Sequence, residues 1–323
     1  MKKLFLAIVA VAAMLSSCSG GKSTVITTLD KHPFAYVGEW DTRNPDKQTL
    51  FVVKDGKVDW EYSIPMHDEW DRILEFDDVT VLPNGNIVFA AMSKLGIVTP
   101  DKELVWEFIC PPGTESHSCQ PIDEEHVVFA LNGNPGKIMI WNVKTDTMVK
   151  EIVVPTAGTN THGQFRHVRM TKEGTFVTGL IPEGLAVELN GDGEIIWSTP
   201  APSAWSVIKL HNGNYLIGGD SKSYVREVNA AGEVVWEITQ EDVPFKLYNT
   251  QTALRLNNGN TIITNWVAGE PVEEWAGSVQ FFEVTPEKEI VWQVSSWENP
   301  DLGPCTYLHI LDEEGDVYFG LQR

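Results

Sequence analysis

The feature that most constrains this 323-residue chain is a unit that returns about every forty residues. A β-branched run, a glycine turn and a second apolar run stand as VTVLPNGNIVFA from Val79, VIKLHNGNYLIGG from Val207 and TALRLNNGNTIITNW from Thr252. Looser copies are HVRMTKEGTFVTGL from His167 and YLHILDEEGDVYFGL from Tyr307. The apolar residue before each turn falls at Leu82, Ile122, Met170, Leu210, Leu256 and Leu311, at spacings of 40, 48, 40, 46 and 55 residues. Strand-rich units of this length cannot bury their apolar faces alone, but they can when stacked radially as blades. The expected fold is all-β: a six-bladed β-propeller of four-stranded antiparallel blades, with seven blades less favoured by six copies.

Each unit closes on its own signature. KVDWEY from Lys57, ELVWEF from Glu103, EIIWST from Glu194, EVVWEI from Glu233 and EIVWQV from Glu289 put Trp60, Trp106, Trp197, Trp236 and Trp292 at one repeat position. One tryptophan per blade at one register reads as packing between blades rather than as five sugar platforms, because large aromatics dominate buried contact energetics. The copy around Ile122 departs from the pattern, with MVKEIVV from Met148 and its tryptophan displaced to Trp141.

The segment from Cys305 to Arg323 supplies two opening strands of a unit, and the segment from Phe34 to Tyr62 supplies later ones. Joining them in one mixed blade removes the open sheet edges that invite aggregation, and it places Arg323 near the early strands. Residues 31–323 then form a single propeller domain. Ahead of it, MKKLFLAIVAVAAMLSSCSGG has two lysines, an apolar run from Leu4 to Leu15 and small residues ending at Cys18. That order is a secretory signal, too short to span a bilayer as a helix. Leu15-Ser16-Ser17-Cys18 resembles the bacterial lipobox, which implies a lipoprotein signal over 1–17, acylation of Cys18 and a tether over 18–30. Ser19-Gly20 lack an aspartate retention signal, so the expected location is the outer membrane, on its periplasmic or surface face.

Removing Lys2 and Lys3 leaves 22 basic against 45 acidic residues, a net charge of −23. Such a surface repels nucleic acid, and membrane contact is expected through the lipid alone. The protein is expected to be a monomer. Cys110 and Cys119 bound the short loop CPPGTESHSC and are a possible disulfide, leaving Cys305 as a small buried apolar residue.

The glycine-turn unit followed by a GEVVW strand is similar to the repeat of the pyrroloquinoline-quinone-type propellers. It also resembles the arylsulfotransferase-type propeller lipoproteins, in which turns like Leu82 to Asn86 are common. The second resemblance implies a histidine accepting a sulfuryl group, and the clustered candidates here are His162, Arg166 and His167 in THGQFRH. The chain lacks the adjacent cysteine pair of the quinone enzymes, so no cofactor is expected.

Propellers bind at the mouth of the central channel. Counting back four from the pre-turn residues gives Asp78, Ser118, Arg166, Ser206, Thr252 and Tyr307 as channel-facing, with Thr306 equal to Tyr307 because of the longer last turn. Before these strands lie His67, Asp68, Asp71 and Asp77, then His117, His162, Gln164, Trp205, Tyr248 and Gln251. The ligand-binding candidates are Asp77, Asp78, His117, His162, Arg166, Trp205, Tyr248 and Gln251. Arg166 opposite Asp78 reads equally as an ion pair across the channel or a ligand clamp. His167 should point into sheet packing. No spacing marks a metal loop, and no catalytic motif such as a nucleophile elbow occurs. Two readings follow: a binding or assembly module for a glycan or protein ligand, or an arylsulfotransferase-like or polysaccharide-degrading enzyme using the His, Arg and Asp cluster.

Overall fold

The computed structural model describes residues 25–313 and Tyr318; the signal segment 1–17, Cys18 and Arg323 lie outside the described residues. The first blade takes β1 (Phe34–Val37), β2 (Lys47–Lys54) and β3 (Lys57–Pro65) from the start of the chain. The second holds β4 (Asp78–Val81), β5 (Ile87–Ala91), β6 (Lys94–Val98) and β7 (Leu104–Ile109). The third holds β8 (Cys119–Pro121), β9 (His126–Leu131), β10 (Lys137–Asn142) and β11 (Thr147–Val153). The fourth comprises β12 (Arg169–Met170), β13 (Phe176–Leu180), β14 (Leu185–Leu189) and β15 (Ile195–Pro200). The fifth comprises β16 (Ser206–Lys209), β17 (Tyr215–Gly218), β18 (Val225–Val228) and β19 (Val234–Ile238). The sixth comprises β20 (Ala253–Arg255), β21 (Thr261–Thr264), β22 (Phe281–Val284) and β23 (Ile290–Val294). The last strand, β24 (Tyr307–Ile310), returns to the first blade, whose order is β24-β1-β2-β3.

The protein is thus a six-bladed β-propeller closed by pairing its two ends. Phe34 stands opposite Ile310 and Val37 opposite Tyr307. Among the described residues the C-terminal segment gives this blade one strand where the sequence pointed to two. Phe34, Ala35, Tyr36 and Val37 are all fully buried, and this apolar stretch takes the second place in the sheet.

A bulge on the outer strand sets the contact between blades. In β3, β7, β15, β19 and β23 the register slips just before the tryptophan of the repeat. Such a slip kinks and twists the strand locally, and each indole reaches the next blade. Trp60 Nε1 donates to the Pro100 carbonyl at 2.7 Å, Trp197 to Ala230 at 3.1 Å and Trp236 to Pro286 at 3.0 Å, each acceptor in the neighbour's outer hairpin turn. Trp106 donates to Asp146 Oδ1 at 3.2 Å, and Trp292 closes the ring on the Thr28 carbonyl at 2.7 Å.

The third blade breaks this rule. Lys150 stands at the tryptophan position beside the bulge, while Trp141 shares the Asp146 carboxylate at 3.0 Å. The facing turn closes in directly instead: Gly193 has φ +83°, and a Cβ there would sit 2.6 Å from the Val153 carbonyl. A side chain would therefore be both strained and in collision.

Blades four to six add a second tie. Glu188 pairs with Lys209 at 2.8 Å, Glu227 with Arg255 at 2.7 Å, and Glu283 with Lys31. The expected tether over 18–30 is held down from Ile26, whose backbone exchanges hydrogen bonds with Val291 and Gln293 on the edge of β23.

The proposed Cys110 to Cys119 disulfide is absent, and both are free buried thiols. Cys110 sits beyond the outer strand of the second blade and Cys119 on the inner strand of the third. Burial pushes the Cys110 thiol up to about 12 and the Cys119 thiol well above its usual range, and both pack in one apolar cluster.

Two outcomes follow. Replacing Trp292 by phenylalanine keeps the ring but strands the Thr28 carbonyl, and should cost about 1–3 kcal/mol, read as a lower thermal midpoint. For Glu283, burial raises the carboxyl, but bonds from His32, Asn260 and Lys31 outweigh it and pull it from 4.5 to about 2. A folded pKa below the unfolded one stabilises above pH 4.5, and that stability is lost as pH falls toward 2. Glu283→Gln should flatten this part of the acid unfolding curve.

Candidate functional site

The residue that opens the first turn of a blade donates its N–H across that turn: Leu82 to Asn86, Ile122 to His126, Leu210 to Asn214 and Leu256 to Asn260. In the fourth blade this residue is Thr171, bonded to Thr175, and not Met170. The sequence alignment therefore slips by one residue there, so His167 rather than Arg166 is the counterpart of Asp78. Ser206 and Thr252 at this level donate to the Gln251 and Thr306 carbonyls of the next blade, at 2.9 and 2.8 Å. Ser118 accepts from the Val168 N–H at 3.2 Å. These positions stitch inner strands together.

Five places before the turn, the corrected register aligns Asp77, His117, Arg166, Trp205, Gln251 and Thr306. These residues form the mouth. His117 Nδ1 lies 3.2 Å from Asp77 Oδ1, and its Nε2 lies 3.0 Å from Glu115 Oε1. His162 Nδ1 is 3.0 Å from the same Glu115 oxygen. The Arg166 guanidinium contacts both ring nitrogens of His117, lies 3.3 Å from His162 Nδ1, and stacks 4.4 Å above the Trp205 ring. Gln251 Nε2 donates to Glu39 Oε1 at 2.7 Å, and the Glu39 N–H donates to Thr306 Oγ1 at 3.0 Å.

Four carboxyls, Glu39, Glu75, Asp77 and Glu115, thus face one guanidinium, and all are buried. Burial, then the neighbouring Asp77, raises Glu39 to about 8, against the pull of Arg166 and His117. Burial also raises Asp77 to about 7 and Glu75 well above its usual range. Glu115 goes the other way: burial raises it, but hydrogen bonds with His117 and His162 hold it well below the usual carboxylate range. Burial, then Arg166, lowers His117. Several buried atoms lack hydrogen-bond partners: both Asp77 oxygens, Glu75 Oε2, Gln251 Oε1, Arg166 Nε and Trp205 Nε1. Such unmet polar groups are costly in a dry interior, and they cluster here.

A cavity of about 510 Å³ opens over the cluster, lined by Glu39, Trp40, Ile73, Glu75, Met92, His162, Trp266, Ala268 and Gly269. Trp40 at φ 62° and Met92 at φ 41° are both in the left-handed region, where a bulky side chain costs about 1–3 kcal/mol. Among the described residues two side-chain sets have the reach to hold a metal ion: Glu39, Asp77 and His117, or Glu115, His117 and His162.

One level further in, Asp78 accepts from Arg169 at 2.8 and 3.0 Å and from the Cys119 N–H at 3.0 Å. The cross-channel ion pair exists, but its cation is Arg169, which also lies 5.3 Å from the Tyr307 ring. His167 is buried there beside Arg169. Tyr248 stands apart, under the Lys246 ammonium at 4.3 Å. Gln164 braces the Gly133 and Gly158 backbone. Asp68 is tied to Arg72 at 2.7 Å within a surface turn, so the acidic run from His67 to Asp71 does not join Asp77. Sequence reasoning missed Glu39, Glu75, Glu115, Trp40 and Trp266. Two of these had a signal, since Glu75 and Glu115 each stand two residues before a mouth residue.

Carboxyls with raised folded pKa values favour folding at low pH, and that contribution is lost as pH climbs through 7 to 8. Arg166 offsets part of this loss. Arg166→Met should cost about 3–5 kcal/mol at alkaline pH and less in acid, measured as thermal midpoint against pH.

No family model matches this sequence, and no curated protein matches it. Among solved structures, a protein of unknown function from Bacteroides caccae is similar, with TM-score 0.75 and 20% identity, over 87% of this chain and 100% of that one. The virginiamycin B lyase from Staphylococcus aureus has TM-score 0.53 at 11% identity, over 87% and 90%. A streptogramin B lyase has TM-score 0.51 at 14% identity, over 80% and 86%. At these identities the likeness is one of fold.

Proposed function

We propose that this protein is an exported, lipid-anchored binding propeller that captures a neutral glycan at its channel mouth, on the periplasmic or surface face of the outer membrane. The observation that carries the reading is the cavity of about 510 Å³, in which the Trp40 and Trp266 indoles stand beside the Glu39 and Glu75 carboxyls. Sugars present both surfaces such a cavity matches: apolar C–H faces that stack on indoles, and hydroxyls that donate to carboxyl oxygens. Its size falls in the range of small-ligand sites, too narrow for a folded partner. Trp40 is 42% exposed, which leaves its ring free to take up a ligand. The anchor rests on the sequence order ending at Cys18.

One observation favours a second reading. Asp77 and Glu39, raised to about 7 and 8, hold protons near neutral pH beside His117, which is what a general acid in a polysaccharide-degrading enzyme requires. Sulfuryl transfer fits less well, since an anionic group would meet four carboxyls and one arginine.

The test is a glycan array with the purified protein, followed by titration of the hits. Trp40→Ala should weaken binding about tenfold or more with little change in thermal midpoint. Trp266→Phe, which loses the bond to the Glu39 carbonyl, should weaken it less. Capture unchanged in Trp40→Ala, or no capture of any neutral glycan, would sink the binding reading. Product release lost in Asp77→Asn would establish the enzymatic one.

A further inference from the structure

We propose that Glu39, Asp77 and His117 form a binding site for one divalent transition-metal ion of the zinc class, at the floor of the mouth. The inference is independent of the glycan reading.

Its first support is the set of groups that His117 faces. A neutral imidazole has one proton, yet both nitrogens of His117 face carboxyls: Nδ1 at 3.2 Å from Asp77 and Nε2 at 3.0 Å from Glu115. The Arg166 guanidinium also contacts Nε2, so a proton on Nδ1 leaves both nitrogens met, whereas a proton on Nε2 turns the Nδ1 lone pair toward Asp77. That contact is repulsive unless a proton or a cation lies between.

The unmet groups show on which side the gap lies. Glu115 Oε1 has two imidazole partners, with the Arg166 guanidinium 3.7 Å away. Neither oxygen of the fully buried Asp77 has a well-aligned hydrogen-bond partner, although the Glu39 carboxyl and the Met92 N–H lie beside it, and Glu75 Oε2 nearby has none. Acceptors without partners therefore lie on the Nδ1 side, while Glu115 lies on the Nε2 side. A metal-bound histidine is commonly oriented in this way, by a carboxylate on its far nitrogen.

Donor chemistry and charge agree with this. One atom each from Glu39, Asp77 and His117 lie within 4.8 Å of one another. Ligands of a tetrahedral zinc ion stand about 3.4 Å apart at bond lengths of about 2.0–2.1 Å, so small side-chain movements suffice to close the set. An imidazole with two carboxylates suits zinc better than calcium, which takes oxygen donors. Glu39 also lines the cavity, leaving a coordination position open toward it. Four buried carboxyls face the one Arg166 guanidinium, an excess of acidic groups that a divalent ion would offset. The other set, Glu115 with His117 and His162, is already joined by its own hydrogen bonds.

The experiment titrates chelator-treated full-length protein with Zn²⁺ by calorimetry and with Co²⁺ by visible absorbance. One saturable site and a cobalt spectrum of low coordination number are expected. Asp77→Asn and Glu39→Gln should each weaken binding about a hundredfold or more, while Glu151→Gln, on the outer strand β11 where the carboxylate pairs with Lys137, should not change it. Folding of each variant is checked by its metal-free thermal midpoint, and if one variant does not fold the other decides. If neither folds, the cobalt spectrum of the unaltered protein decides. The proposal is overturned by absence of saturable binding, by affinity unchanged in a folded variant, or by binding lost in His162→Ala and retained in Asp77→Asn. A positive metal titration with a blank glycan array would leave this site standing while removing the proposed function.

Discussion

A propeller has no single core, so its stability rests on how each blade grips the next. In this protein the grip is the indole of the outer strand. A bulge immediately before the tryptophan turns the strand, and the indole N–H then reaches the outer hairpin of the adjacent blade, or at ring closure the Thr28 carbonyl. The ring carries the apolar contact and the N–H ends it with a directional bond, so each interface is both packed and registered. Where the indole is missing, at Lys150, the gap is closed by bringing the glycine turn at Gly193 against the β11 backbone. Opposite this position the third strands differ: Val52 and Ile97 face tryptophans and Ile140 faces Lys150 in the first three blades, while Glu188, Glu227 and Glu283 face tryptophans in the last three, each glutamate tied to a basic residue of the next blade.

Fixing the blades in this way makes one backbone position recur around the axis while its side chain is free to vary. Five residues before each turn the chain places Asp77, His117, Arg166, Trp205, Gln251 and Thr306, six different chemistries at equivalent points of one ring. The connecting segments then bring in Glu39, Glu75, Glu115, His162 and Trp266. Repetition builds the frame, and departure from repetition builds the site.

That division explains what was legible beforehand. Blade number, strand count and head-to-tail closure depend on apolar periodicity and turn chemistry, which a repeat prints many times over. The mouth depends on single residues, and an alignment error of one residue is enough to misplace them. In the fourth blade the apolar Met170 looked like the pre-turn residue, while hydrogen bonding assigns that role to Thr171. Arg166 thereby lost its supposed pairing with Asp78, which Arg169 takes instead. The loop from Cys110 to Cys119 looked like a disulfide loop, and its functional content was Glu115 and His117. Glu39 had no signal of its own, because ring closure, which sets it beside Thr306 and Gln251, brings residues far apart in sequence side by side.

The two levels of the channel form an internal comparison that bears on why the mouth is polar. Both are buried, so desolvation acts on the charges of each. At the inner level Asp78 is saturated, with two bonds from Arg169 and one from the Cys119 N–H. There the carboxylate and guanidinium satisfy each other, while His167 Nε2 beside them is left without a partner. At the outer level neither oxygen of Asp77, its neighbour in sequence, has a well-aligned hydrogen-bond partner, and four carboxyls crowd around one guanidinium. A chain able to satisfy Asp78 one residue away has the means to satisfy Asp77 too. Leaving it unmet lowers stability, a cost of the kind that clusters at functional sites.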